Sequence, residues 1–139
     1  MWGADYFYSG LPKGGSWIVW DKRNESSDGL VGNHFEVLWS SNPHRRRMIR
    51  HLWAGFTARN QDQNRTHPTE RPVPVLVDII QTHLKADAVI VDPFLGSGTT
   101  MVAAEQLGRV CYGIEIEPKY CAVVLERMAA MGLTPELAD

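Results

Sequence analysis

A chain of 139 residues with 44% hydrophobic and 22% charged positions is long and apolar enough to bury one ordinary core, which excludes a disordered segment. Its formal net charge of -2 gives no overall basic field, so any contact with nucleic acid has to be local. No basic region followed by an apolar stretch opens the chain, and no apolar run is long enough to span a bilayer, which argues against secretion and membrane insertion.

In chain order, "GSWIVWDK" and "HFEVLWSS" read as strands near Ser16 to Asp21 and Phe35 to Ser40, because both concentrate Trp, Ile, Val and Phe around the turn cluster "NESSDG". "RHLWAGF" is a third strand candidate. Ahead of it, "NPHRRRMIR" sets Arg45, Arg46 and Arg47 in a row with Arg50 close behind, and "TARNQDQNRT", residues 57–66, is a polar loop. Trp39 and Trp53 read as core residues.

From Val73, the positions Val73, Leu76, Val77, Ile80 and Leu84 recur at helical spacing behind Pro72 and Pro74, predicting a helix that ends near Lys85. Ala88 to Asp92 is a short apolar run of the kind covered on both faces of a sheet. A second helix is expected from Thr99 to Gly108, then a strand over Val110 to Ile116. Pro118 opens a third helix with Cys121, Val124, Leu125 and Met128 inward, and Gly132 closes it. Helix, strand, helix, strand, helix is an α/β unit with parallel strands. Cys111 and Cys121 fall in these elements without metal-ligand spacing and read as reduced core thiols of a cytoplasmic protein.

The chemistry concentrates in "VIVDPFLGSGTT", Val89 to Thr100, where a strand breaks into Gly96-Ser97-Gly98 before a helix. Such a turn lets the backbone approach a ligand closely. Glu115, about 20 residues on at the end of the next strand, stands where a carboxylate accepts both ribose hydroxyls of a nucleoside. A phosphate-binding P-loop is excluded by the absence of Gly-Lys-Ser/Thr, and a dinucleotide fingerprint is weakened because its third glycine falls at Met101. Asp92 repels a pyrophosphate. A ligand with adenosine at one end and positive charge at the other fits better, and S-adenosylmethionine is such a ligand.

"DPFLGSGTT" resembles motif I of the DNA amino-methyltransferases that modify adenine N6 or cytosine N4. "HPTERPVPVLVDII", His67 to Ile80, resembles the segment that the family places just before it, with Arg71 where lysine is usual. "GIEIEPKYCAVVLERM", Gly113 to Met128, resembles its ribose-binding segment, and "WGADYFYSGLPKGGSWIVWDKR" resembles phage-type, restriction-modification-like members in which the catalytic half comes first. The resemblance implies a Rossmann-like S-adenosylmethionine-dependent methyltransferase sandwich. It also implies that Asp92, Phe94, Gly96 and Gly98 hold the methionyl and adenosyl parts, with Ser97 and Thr99 donating hydrogen bonds. Glu115 would bind the ribose, Ile116 would pack on the adenine, and His67, Pro68, Thr69 and Arg71 would border the methionine end. Core packing is the competing account of Phe94 and Ile116, and loop capping that of His67. Double-stranded DNA is the implied partner, with Arg45, Arg46, Arg47 and Arg50 as phosphate contacts or, equally, a solvated charged loop.

The family's catalytic signature is an Asp, Asn or Ser followed by Pro-Pro and an aromatic, and none of the eight prolines here adjoins another. The chain is therefore expected to begin after that signature, with residues 1–56 part of the catalytic half, 67–139 the cofactor half, and the central sheet incomplete. Three readings stay open. The first is a truncated or split DNA methyltransferase, adenine N6 ahead of cytosine N4, inactive without a second chain or self-association. The second is a non-catalytic cofactor- or DNA-binding module, and the third an unrelated nicotinamide-dependent α/β enzyme. No residue is assigned to catalysis or to a metal.

Overall fold

The computed structural model describes residues 1–23, 33–53 and 70–137. The chain forms two compact units, Met1–Gln63 and Asn64–Asp139. The turn cluster "NESSDG", the polar loop at 57–66 and the candidates His67, Pro68 and Thr69 lie outside the described residues.

The first unit begins with a 3-10 helix, Ala4–Gly10, which carries no strong sequence signal. Strands β1 (Ser16–Asp21) and β2 (Phe35–Ser40) match their expected limits, and β3 is Arg47–Arg50. Their order is β2-β1-β3, with β1 antiparallel to β2 and parallel to β3. β3 thus begins ahead of the candidate "RHLWAGF" and shares Arg50 with it; residues 54–56 of that candidate lie outside the described residues. A four-residue strand with three exposed or half-exposed positions and only Ile49 buried has too little apolar alternation to stand out from a charged loop. The unit's core centres on Trp20, 1% exposed, whose Nε1 donates to the His51 carbonyl at 3.0 Å while its ring meets Trp2 edge to face at 5.9 Å.

Asp21, at the end of β1, is buried among positive charge. Its Oδ1 accepts from the backbone N–H and the Nε of Arg23, both at 3.1 Å, and Arg50 Nε lies 3.9 Å from Oδ2. The Arg23 hydrogen bonds hold its carboxyl below the usual carboxylate range, outweighing the upward push of burial. A depressed folded value makes a stabilising contribution that is present above the ordinary carboxylate pKa of about 4 and lost as pH falls through the lowered value. Asp21→Asn is therefore expected to flatten the acid side of the melting profile. Thermal melts from neutral pH downward check this; an acid limb identical to that of the native chain would exclude the linkage.

The second unit contains α1 (Val73–His83), β4 (Ile90–Asp92), α2 (Thr99–Gln106), β5 (Cys111–Gly113) and α3 (Pro118–Ala130). The expected helices are all present. Pro occupies the first turn of α1 and of α3, where its missing N–H costs nothing. Both strands are shorter than their apolar runs, and they are adjacent and parallel, with Ile90 opposite Cys111 and Asp92 opposite Gly113.

The helices meet through Leu95, Val102, Val124 and Met128, with Val73 and Met101 packed against them. Leu125, expected on the inner face of α3, is instead 52% exposed, because the inward stripe narrows to Val124 and Met128. The expectation that β4 is covered on both faces also fails within this structure: Ile90 is buried, but Val89 and Val91 are 56% and 65% exposed. An apolar run does not specify which face is covered. Cys111 and Cys121 are free thiols, half-buried rather than fully enclosed, and burial raises the pKa of the Cys111 thiol. Among the described residues no helix is long and apolar enough to cross a membrane.

Candidate functional site

The site is the turn between β4 and α2. Gly96 and Gly98 both have left-handed backbone, φ 57° and 83°, a conformation that glycine adopts without the steric cost borne by other residues. Asp92 closes the turn on itself: its Oδ1 accepts the Phe94 N–H at 3.0 Å and its Oδ2 accepts the Thr100 hydroxyl at 2.6 Å. The exit of β5 is stitched to the same turn, since Ile114 N–H donates to the Asp92 carbonyl at 2.9 Å and Leu95 N–H to the Ile114 carbonyl at 3.0 Å.

Those bonds bring Glu115 to the glycines. Its Oε2 accepts the Gly96 N–H at 2.7 Å and its Oε1 the Glu117 N–H at 2.9 Å. A carboxylate offers about four acceptor positions, so it can hold the turn and still receive hydroxyls of a ligand. A cavity of about 890 Å³ opens along β5 and α3, lined by Cys111, Glu115, Cys121, Val124 and Met128 among others. Asp92, Phe94, Gly96, Gly98 and Ile116 do not line it, so it is not the space in front of the glycine turn.

Phe94 and Ile116, for which core packing is the rival account, are 88% and 89% exposed. They are surface apolar side chains, not core, Phe94 just ahead of the glycine turn in sequence and Ile116 next to Glu115. Ser97 and Thr99 are placed differently from what hydrogen bonding to a ligand suggests, being 3% and 7% exposed. Ser97 is engaged by Arg127, whose Nη1 donates to its carbonyl at 2.8 Å and lies 3.3 Å from its Oγ. Arg71 is half-buried, one residue before the N-cap of α1.

The arginine cluster is divided. Arg45 and Arg46 are exposed ahead of β3, whereas Arg47 and Arg50 lie within it. Side chains alternate along a strand, so Arg47 shares its face with buried Ile49 and Arg50 lies on the other with exposed Met48. The four do not form one continuous stripe.

Sequence reading missed Arg127 and Glu70, which are joined to each other at 2.9 Å. These partners are 57 residues apart, and no local pattern marks a contact at that separation. Among the described residues no group of His, Cys, Asp or Glu could hold a metal ion.

Parallel strands joined through a helix, with a glycine turn after the first and a carboxylate after the second, define a Rossmann-like methyltransferase fold whose described strands fall into two sheets. The family model N6_N4_Mtase, DNA methylase, matches residues 17–126, and the chain belongs to that family. It is 32% identical over 112 residues to the type II methyltransferase M2.LlaDCHI of Lactococcus lactis subsp. cremoris, covering 80% of this chain and 40% of that protein. Against the type II methyltransferase M2.DpnII of Streptococcus pneumoniae it is 32% identical over 114 residues, covering 81% and 41%. The crystal structure of the M1.HpyAVI-SAM complex superposes with a TM-score of 0.58 at 24% identity, covering 89% of this chain and 66% of that one. The chain thus spans about two fifths of the length of these curated relatives. Family membership sets aside the nicotinamide reading, and Met101, in place of a third glycine, packs against the core cluster.

Proposed function

We propose that this chain is the cofactor-binding part of a DNA amino-methyltransferase, holding S-adenosylmethionine at the turn between β4 and α2. The observation that carries the reading is the Glu115 carboxylate, fixed against the glycine turn by the Gly96 and Glu117 amides. The donor set fits that ligand. Glu115 is an acceptor for the ribose diol, Asp92 brings negative charge suited to a cationic methionyl end, and exposed Phe94 and Ile116 offer apolar surface to the adenine. S-adenosylmethionine supplies an electrophilic methyl on its sulfonium when bound; the residues of this chain bind and orient it. The phosphate contacts proposed for DNA narrow to exposed Arg45 and Arg46, with Arg50 shared with Asp21.

Calorimetry tests the reading. The native chain is expected to bind S-adenosylmethionine, and Glu115→Ala to weaken it by at least roughly tenfold, the loss of one charge-assisted hydrogen bond. Glu115→Gln, which keeps one acceptor oxygen, is expected to fall between them. Equal heats for all three proteins would remove the ribose contact and the adenosine argument with it.

A further inference from the structure

We infer that Arg127 is a positioning residue for the cofactor turn, acting from the last part of α3 without touching the ligand itself. One nitrogen, Nη1, directs its two N–H groups to the Ser97 carbonyl at 2.8 Å and the Glu70 Oε1 at 2.9 Å, with the Ser97 Oγ 3.3 Å away sharing one of them. The groups are well shielded, with side chains of Arg127 and Glu70 only 23% and 13% exposed, so the interaction is screened far less than a surface ion pair.

The position of this contact gives it a function. Ser97 sits between the two left-handed glycines, the part of the turn with the greatest backbone freedom and the most to lose when it is ordered. Glu70 immediately precedes Arg71 and Pro72, the N-cap of α1. A single guanidinium therefore ties α3, the glycine turn and the entry to α1 at one point. Ordering the turn before the ligand arrives lowers the cost of binding, which is preorganisation. Because both short bonds come from one nitrogen, a compact cation at the end of an alkyl stem is the essential feature. An apolar stem alone is not sufficient.

This inference rests on the cofactor reading, and its test has an arm independent of ligand. Amide hydrogen exchange and S-adenosylmethionine calorimetry are measured on the full chain as the native protein, Arg127→Met and Arg127→Lys. Met keeps the apolar stem; Lys keeps a cation with three N–H donors.

In the Met variant the amides of residues 96–98 are expected to exchange at least roughly tenfold faster, and affinity to fall by roughly the same factor, the size of one lost charged hydrogen bond. Val102 to Ala104 in α2 keep their protection, and Lys restores most of both losses. A Met variant whose turn is as protected as the native one overturns the inference, as does a Lys variant that fails as badly as Met. If Met costs the fold, the Lys arm decides: turn amides protected as in the native chain uphold the inference, and deprotected ones overturn it. A native chain that binds no S-adenosylmethionine sinks the cofactor reading alone, since the exchange comparison still judges the clamp.

Discussion

Incubated with radiolabelled S-adenosylmethionine and unmethylated DNA, the purified chain will transfer no label to adenine or cytosine. The lone pair of an exocyclic amine is delocalised into its base, so methyl transfer requires acceptors that turn it toward the sulfonium. It also requires an aromatic to hold the base outside the helix, offsetting an unstacking cost of a few kcal/mol. The 139 residues contain no Pro-Pro pair on which the family's acceptor signature is built.

Asp21 is the carboxylate best placed in sequence to substitute, at the end of the "WIVWD" strand, and the structure shows it committed elsewhere. It is 7% exposed and bonded to the backbone and side chain of Arg23. Among the described residues β4 pairs only with β5. Adding a chain that carries the signature is expected to bring activity, and chromatography of the labelled nucleosides then tells adenine N6 from cytosine N4. Label incorporated at enzymatic turnover with no second protein present would refute the account.

The second large effect is expected from one methyl group. Gly98 has φ 83°, and a Cβ built on it would lie 2.8 Å from Val124 Cγ2 and 3.3 Å from Cγ1. Gly98→Ala therefore carries about 1–2 kcal/mol for the left-handed backbone and about 1–3 kcal/mol for overpacking against a buried side chain. Summed, destabilisation of about 2–5 kcal/mol is a large fraction of the stability of a small domain. Denaturant melts of the single variants and of Gly98→Ala with Val124→Ala separate the two terms: removing the Val124 methyls should relieve the overpacking and leave the backbone cost. Additive effects in the double variant would mean that Val124 is not the obstacle. Cofactor affinity is expected to fall with Gly98→Ala, because the displaced turn carries the Gly96 amide that Glu115 holds.

Much of the fold was readable because its signals are local. Strands β1 and β2 carry dense aromatic and β-branched residues between turn formers, and their limits agree with the structure to the residue. Helices α1, α2 and α3 show periodic apolar positions or proline starts and glycine stops. What escaped reading lacked such contrast: β3 holds two arginines and one buried side chain, and the 3-10 helix at Ala4–Gly10 has one buried residue and no periodicity.

The candidate site divides in the same way. By itself, the sequence determined the glycine turn and the acidic residue two positions past the following strand, because residue type and short spacing dictate both, while the resemblance to the amino-methyltransferases is what gives meaning to the absence of a Pro-Pro pair from these 139 residues. Only the tertiary structure decided that Glu115 is fastened to Gly96, that Phe94 and Ile116 are exposed, and that Arg127 reaches Ser97 across 30 residues of chain. Those facts depend on how strands pair and helices pack, and side chains brought together by packing leave no pattern along the chain.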